Sequence, residues 1–303
     1  MVDARSQSEI PDKEEIPAKD KSGWLIATRV LITLFAMCWT SPDWLHLGSR
    51  AWQIYTTEIG ITKSVRLADG TTVLLNTNSE IRVRFSPWRR SVYLIRGEAL
   101  FTVAHNQDWP FDVTAENVTT RDLGTAFDLR LTEDHELYLA VREGRVRVGS
   151  SAEFNIGDSD QLSRLAMVQA GGMAVARDGM IAVTPHRTAE VTRRLAWTQG
   201  KLVLNGQTLA QVVHEVNRYN RDQIRIGDAS IARLMMGGVI NPRNLPDFLA
   251  QLQVVHQIVA VESGKTLDGG SVLSLCGPRS ASSCSSGQVG AIRSLPAQLN
   301  RRR

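Results

Sequence analysis

Short apolar runs with period-two alternation fill residues 54–165, and this pattern constrains the fold more than any other feature of the sequence. Such alternation sends one set of side chains into a core and the other into solvent, as in β-strands. The runs recur at spacings of about 8–12 residues, with turn-forming pairs such as Asp69-Gly70 between them. The predicted strands are 62–67, 72–76, 81–85, 92–95, 99–103, 111–113, 127–131, 137–141 and 146–148. The prediction is a mainly β chain whose all-β domain spans 54–165, built as a sandwich, a barrel or a solenoid.

A second pattern, with helical period, begins at Trp197 and ends at Ser263. The spacing i, i+3, i+4, i+7 of one helix face occurs at Leu209, Val212, Val213 and Val216 and again at Leu245, Phe248, Leu249 and Leu252. Predicted strands 201–204, 223–226, 235–240 and 257–261 flank the two helices, and Thr208 is the predicted N-cap of the first. Residues 197–263 are therefore predicted to form an α/β module of two βαβ units, with 166–196 as a linker or additional strands.

An apolar run at Trp24–Trp39, extended by Thr40–Leu47, approaches the length of about 20 residues that a membrane-spanning helix needs. Its ends carry Trp24, Trp39 and Trp44, and its N-terminal flank carries Lys19, Lys21 and Arg29. Aromatic ends and a basic flank predict one transmembrane helix at 24–47 with the N-terminus in the cytoplasm. The alternatives are a buried helix of a soluble domain and a signal peptide, although no A-x-A-type cleavage site follows the run.

Both ends of the chain are predicted to be disordered. Residues 1–23 are polar, and residues 264–303 are rich in Gly, Ser, Pro and Arg, although Ser271–Leu275 is compatible with one more strand. The segment 264–303 has a charge balance of +5 against +4 for the whole chain, so the remaining residues sum to −1. The basic character therefore belongs to the tail, and nucleic acid is not a predicted partner.

The sequence shows none of the familiar catalytic or metal-binding motifs. The histidines, at 46, 105, 135, 186, 214 and 256, are scattered without metal-ligand spacing. The cysteines are Cys38, Cys276 and Cys284, so only the last two are able to pair near the folded region, and only in an oxidising compartment. No enzyme activity, cofactor or metal is predicted, a hydrolase on a β scaffold being the least favoured hypothesis. The pairs Arg89-Arg90 and Arg193-Arg194 are interpreted as solvated charges or as phosphate contacts without specificity.

Glycine- and proline-centred segments inside the β region form the most specific pattern. They are Arg96–Val103, Trp109–Val113, Leu123–Leu129 and Val141–Val148, preceded by Leu67–Thr71 and Leu75–Ser79. Their order and spacing over about residues 55–148 resemble the FecR family. The positions that carry the resemblance are Asp69, Gly70, Asn76, Gly97, Glu98, Phe101, Pro110, Phe111, Gly124, Thr125, Phe127, Glu143 and Gly144. Residues 197–262 look like the C-terminal part of FecR-type proteins, which is similar to the secretin/TonB short N-terminal domain.

The resemblance implies a single-pass inner-membrane regulator of an extracytoplasmic-function sigma factor, with its C-terminal part in the periplasm. In such systems a TonB-dependent outer-membrane transporter, often for an iron-siderophore, contacts the periplasmic part through its own signalling domain. The implied partners are that signalling domain, the sigma factor and the membrane.

One feature departs from the family pattern. FecR-type proteins usually carry a longer, helical cytoplasmic segment before the span, whereas residues 1–23 precede it here. Either the start is assigned too late or the segment is lost. In the second case the expected protein is a periplasmic binding or scaffold protein of the same fold, without sigma regulation.

Two functional sites are predicted. The module is expected to dock a partner by strand addition or helix packing through Trp197, Leu209, Val213, Asn217, Tyr219, Gly238, Phe248 and Leu249. The Gly124–Thr125 peptide bond is a candidate for backbone scission, because the Thr125 hydroxyl neighbours the Gly124 carbonyl and Asp122 or Asp128 is available as a base. The alternative is a tight turn entering a strand, with Thr125 present for its β-branched side chain.

Overall fold

The structure, a computed structural model, describes residues 51–122, 124–155 and 165–278. In this part of the chain no helix is long and apolar enough to cross a bilayer. The predicted span Trp24–Leu47 lies outside the described residues, as do the predicted disordered segment 1–23 and the end of the tail from 279 onward.

The described strands from residue 53 to residue 184 form one hydrogen-bonded network, the β domain. They are β1 Gln53–Thr56, β2 Lys63–Arg66, β3 Thr72–Leu75, β4 Glu80–Ser86, β5 Arg89–Thr102, β6 Phe111–Ala115, β7 Val118–Asp122, β8 Ala126–Leu131, β9 Leu137–Glu143, β10 Arg145–Ser150, β11 Ala166–Gln169, β12 Met173–Arg177 and β13 Met180–Thr184. The principal strand order is β11-β10-β7-β6-β5-β8-β9-β12-β13, with β4 carrying β1 and β3 carrying β2 beside β5. The predicted mainly β class is confirmed.

The network has two halves, one containing β4 and β6 and the other containing β3 and β8, and strand β5 belongs to both. Its first half pairs with β4 and, in parallel, with β6, whereas its second half pairs with β3 and β8. The apolar side chains of both halves, among them Val73, Ile81, Val92, Phe101 and Phe127, share one buried core. The sequence predicted two strands here, separated by a break at Arg96-Gly97-Glu98. That prediction is wrong, because Gly97 adopts a φ of +84° and turns the strand from one half to the other without ending it.

Residues 166–196 were predicted to form either a linker or additional strands. They extend the β domain with β11, β12 and β13. A short helix, α1 at Ser151–Asn155, precedes them, and α2 at Thr188–Arg194 follows, continued by a 3₁₀ turn at Leu195–Gln199. Trp197 and Leu195 in that turn pack with Leu100 of β5 and Met173 of β12 in a second, smaller cluster. The segment from β11 to this 3₁₀ turn therefore belongs to the β domain, and the α/β module starts after it.

The module consists of β14 Leu202–Thr208, α3 Leu209–Asn217, β15 Gln223–Ile226, β16 Met235–Ile240, α4 Leu245–His256, β17 Val259–Lys265 and β18 Ser271–Cys276, with a 3₁₀ turn at Ala229–Ile231. Both predicted helices are present. Thr208 caps α3 as predicted, accepting a hydrogen bond from the Gln211 amide while the Gln211 side chain accepts one from the Thr208 amide.

Neither predicted βαβ unit has both of its strands in one sheet. Strand β14 pairs antiparallel with β16, whereas β15 and β17 both pair with β18. Strand β18 lies in the segment 264–303, for which the sequence predicted disorder but left one more strand open at Ser271–Leu275. The structure forms that strand at Ser271–Cys276. Leu275 and Cys276 are fully buried, and β18 is the central strand of its sheet, which fixes this segment in the fold.

Candidate functional site

Polar side chains of the β domain meet the end of α3, and we call this set the bridging network. It contains Asn76, Glu98, Arg130, Glu215, Arg218 and Tyr219. The first three come from the end of β3, the second half of β5 and β8. The last three come from the final turn of α3 and the residues after it, which the buried face of that helix holds in place.

The turn at Gly97 places Glu98 in this network. A Cβ on residue 97 would lie 2.3 Å from Ser79 Oγ and 2.7 Å from Ser79 Cα, so only glycine fits there. The Ser79 hydroxyl donates to the Glu98 carbonyl oxygen and accepts from the Glu98 amide, at 3.0 Å each. These two bonds hold the backbone of Glu98 against the turn that follows β3.

The buried Glu98 carboxylate is the centre of the network. Its Oε2 accepts from Asn76 Nδ2 at 2.7 Å and from Arg218 Nη2 at 2.9 Å. Asn76 Nδ2 also donates to the hydroxyl of Tyr219 at 2.8 Å. Charge-assisted bonds of this kind are stronger than neutral ones. Glu98 therefore binds Arg218, at the end of α3, directly, and it is linked to Tyr219 through Asn76.

A second carboxylate, Glu215, completes the network. It accepts from Arg130 at 2.7 and 3.1 Å and from Arg218 at 3.1 Å. Burial alone would raise the pKa of Glu215, but Arg130 and Arg218 outweigh that effect and lower it to about 2. Burial would lower the pKa of Arg218, yet Glu98 and Glu215 raise it, and burial together with Glu98 raises the pKa of Tyr219 to about 12. Arg218 and Glu215 are therefore charged at neutral pH.

Asp128 lies on β8 beside this network and is fully buried. Burial first, then the carboxylate of Glu98, raises the pKa of Asp128 well above its ordinary value, against opposing effects of Arg194, Trp197 and Arg130. Its Oδ1 has no hydrogen-bond partner among the described residues. The sequence offered Asp128 as a base for Gly124–Thr125, but the structure places its carboxylate toward Trp197 instead.

The other candidate base, Asp122, does reach the predicted scission site. The Thr125 hydroxyl donates to Asp122 Oδ1 at 2.5 Å, and the amides of Gly124 and Thr125 donate to Oδ2 at 3.0 Å each. Gly124 has a φ of +140°, and a Cβ there would lie 2.3 Å from His105 Nδ1. Gly124 therefore has a backbone conformation that favours glycine, and the Thr125 hydroxyl lies against the buried carboxylate of Asp122.

The remaining FecR-like positions have structural contacts. Asp69 accepts from buried Arg90 at 2.7 Å, so the prediction of Arg90 as a solvated charge is wrong. The Pro110 carbonyl oxygen accepts from the Arg90 amide at 2.9 Å. The other positions form a turn after β2 (Gly70), a buried aromatic cluster (Phe101, Phe111 and Phe127) and the exposed junction of β9 and β10 (Glu143 and Gly144).

Most residues predicted to dock a partner lie inside the protein. Buried side chains are Trp197, Leu209, Val213, Tyr219 and Phe248, and Leu249 is partly buried. Asn217 Nδ2 donates to the Ile224 carbonyl oxygen and its Oδ1 accepts from the Ile224 amide, at 2.8 Å each, so it joins α3 to β15. Gly238 alone is fully exposed, on β16. Apolar periodicity identified the interior of the module and not its docking surface.

Three of the network's charged residues, Arg130, Glu215 and Arg218, were absent from the predicted site. One signal for them was available: Asp128 and Arg130 flank Leu129 in a strand whose other residues are apolar. Among the described residues no group of three or more His, Cys, Asp and Glu side chains is arranged to hold a metal ion. The site is therefore a polar contact between two parts of one chain.

Comparison with known families and structures agrees with the resemblance inferred from the sequence. The model of the FecR protein family matches residues 53–147. A crystal structure at 1.65 Å of a putative anti-sigma factor from Parabacteroides distasonis ATCC 8503 has a TM-score of 0.57 and 23% identity, covering 74% of this chain and 99% of that one. A second, at 2.50 Å, has a TM-score of 0.56, 24% identity and the same coverage. A search of curated proteins finds no match.

Proposed function

We propose, from the FecR domain at residues 53–147, that this protein regulates an extracytoplasmic-function sigma factor. The match to the FecR model is the observation that carries the proposal. The structural similarity to a protein described as an anti-sigma factor is consistent with it, since the similarity covers nearly all of that protein. We further propose that Trp24–Leu47 spans the inner membrane once, with the described residues in the periplasm.

A disulfide supports the periplasmic location. Cys276, buried at the end of β18, is disulfide-bonded, and such bonds persist in oxidising compartments such as the bacterial periplasm. The location is tested by fusing alkaline phosphatase or β-galactosidase after Val148. We expect activity of the phosphatase fusion only, and activity of the galactosidase fusion alone would contradict the proposed topology.

Sigma regulation is tested in the bacterium that produces the protein. The gene is deleted, and the transcripts are compared after complementation with the full chain or with Arg218→Gln, which disrupts the bridging network. We expect the full chain to change the transcripts of one sigma-factor regulon at least about tenfold, and the variant to change them less. Identical transcripts with and without the full chain would contradict the proposal.

For the inducing partner we propose the signalling domain of a TonB-dependent transporter, in iron-siderophore uptake. Strand β16 supports strand addition, because among the described strands it pairs only with β14 and it exposes Met235 and Val239.

We expect Met235→Asp and Val239→Asp in the full chain to weaken binding of such domains at least about tenfold. The matched controls Val254→Asp and Val255→Asp, at equally exposed positions of α4, should leave affinity unchanged. Equal losses in both pairs would exclude β16 as the docking strand.

Self-scission at Gly124–Thr125 is a second candidate activity, favoured by the 2.5 Å contact between the Thr125 hydroxyl and Asp122. In this step Asp122 takes the hydroxyl proton as Thr125 Oγ1 attacks the Gly124 carbonyl carbon. The C–N bond then breaks, the Thr125 nitrogen takes up a proton as a free amine, and an ester remains. Water hydrolyses the ester to a Gly124 carboxylate and restores the hydroxyl.

Mass spectrometry of the full chain tests this step by looking for a fragment that begins at Thr125. We expect it in the parent and in Thr125→Ser, which keeps a hydroxyl. We expect none in Thr125→Ala and much less in Asp122→Asn, whereas Asp128→Asn should be cut like the parent. An intact parent, or equal scission in Thr125→Ala, would exclude the mechanism.

A further inference from the structure

Exposed aromatic residues lie along the β4–β5 hairpin, and one of them, Trp88, is at its tip. Trp88 lies in the turn between the two strands and is 82% exposed. A tryptophan this exposed is uncommon in a soluble domain, because the transfer of its large apolar surface out of water is favourable. Trp88 lies at the hairpin tip and takes no part in the core. The folding of the domain therefore does not explain why a tryptophan is present at this position.

An aromatic pair lies further from the tip, where Tyr93 of β5 meets Trp52, the residue before β1. Trp52 and Tyr93 make an edge-to-face contact with centroids 5.2 Å apart, and both are more than a third exposed. The guanidinium of Arg84 lies 4.3 Å from the centroid of the Trp52 ring. No carboxylate lies within 4.0 Å of Arg84 in residues 51–122, 124–155 and 165–278. We call Trp52, Arg84, Trp88 and Tyr93 the aromatic tip.

The strand register shows where the chain enters this hairpin. Gln53 of β1 pairs with Val83 of β4, and pairing then runs away from the tip as β1 proceeds to Thr56. The preceding residue, Trp52, is therefore at the end of β1 that faces the tip. It is only five residues after Leu47, where the predicted span ends, and five residues reach at most about 18 Å.

We propose that the aromatic tip contacts the bilayer surface, with Trp88 and Trp52 among the lipid head groups and Arg84 at a lipid phosphate. Tryptophan and tyrosine favour this interface because each combines a large apolar ring with one hydrogen-bond donor. An arginine without a carboxylate partner matches anionic phosphate in charge and geometry. The short connection to the predicted span favours the membrane over a diffusing protein partner. The contact orients the β domain relative to the membrane and rests on the proposed span.

Photo-crosslinking tests the contact in the full chain, reconstituted in vesicles of phosphatidylethanolamine and phosphatidylglycerol. Trp88 is replaced by the photoreactive benzoylphenylalanine, and lipid adducts are measured by mass spectrometry after illumination. Leu267, fully exposed in the module, is replaced in the same way as the matched control. We expect at least about tenfold more phospholipid adduct at position 88 than at 267, and Arg84→Glu to lower the yield at 88 several-fold.

The outcomes separate this proposal from the proposed span. A chain that leaves the vesicles in alkaline carbonate would contradict the span and, with it, the contact at the tip. A chain that stays in the vesicles but gives equal adducts at 88 and 267 would overturn the aromatic tip alone. Adducts at 88 with protein in place of lipid would also overturn it. Trypsin resistance equal to that of the parent verifies that each variant is folded.

Discussion

The β domain and the α/β module differ in the surroundings of several of their glycines. In the β domain, a Cβ added at Gly97, Gly124 or Gly144 would lie within 2.4 Å of a neighbouring side chain. In the module, a Cβ at Gly237 or Gly238 would meet nothing within 4 Å. The module has such a close approach at Gly270, beside the Arg221 carbonyl oxygen, but its core is built on the apolar faces of α3 and α4.

The two regions also differ in what joins them. Each has its own apolar core, but between the end of α3 and the β domain lie Glu98, Arg218 and Glu215. A polar contact between two independent cores separates more readily than an apolar one, since water re-solvates its charges. This difference is consistent with the proposed docking of a partner on the module.

The largest expected effect tests the glycine contrast. Gly97→Ala places a Cβ against Ser79 at a φ of +84°, so we expect a loss of about 4 kcal/mol or more in the free energy of unfolding. Gly237→Ala, in open space and without positive φ, should change it by less than about 0.5 kcal/mol. Urea unfolding followed by circular dichroism measures both, and similar losses would remove the contrast.

Breaking the polar contact should have the next largest effect. Arg218→Gln leaves the buried Glu98 without its cation, so we expect a loss of about 3 kcal/mol in the free energy of unfolding. Arg221→Gln is the matched control, because Arg221 pairs with Glu58 where both side chains are mostly exposed, and should cost less than about 1 kcal/mol. Equal costs would show that the bridging network adds nothing beyond a surface ion pair.

Acid should weaken the same contact. The pKa of Glu215, about 2 in the folded protein, lies below the ordinary value of 4.5. Its stabilisation is therefore complete above pH 4.5 and is lost as the pH falls toward 2, by roughly 3 kcal/mol at most. Urea midpoints measured across this window should fall in the parent and fall less in Glu215→Gln. Parallel curves would show that Glu215 is not the titrating group.

The smallest effect has the opposite sign. The raised pKa of Asp128 means that the folded protein disfavours its charged form, so stability is lost as the pH rises above the ordinary value of 3.8. Asp128→Asn removes that loss, and we expect about 1 kcal/mol of added stability at pH 7, vanishing at low pH. Differential scanning calorimetry measures the change. A less stable variant at pH 7 would mean that a charged Asp128 is needed beside Arg194.

The module was the more predictable region, because its pattern is local. The repeated spacing from Leu209 and from Leu245 predicted both helices, and a single residue, Thr208, predicted where the first begins. The β domain was predictable as a set of strands but not as an architecture. Residues 92–95 and 99–103 were two predicted strands that form the single strand β5, since the conformation of Gly97 depends on Ser79 in another strand.

The sequence by itself determined the mainly β class, the two helices of the module and the FecR resemblance, because each depends on patterns of residues that are close together along the chain. Only the tertiary structure decided that β18 completes the module, that Arg90 is buried, and that Asp122 rather than Asp128 contacts Thr125. It also brought Asn76 to Tyr219, which is 143 residues away along the chain. The sequence around a charged residue does not identify its partner, because the packing of distant strands and helices determines which side chain it contacts.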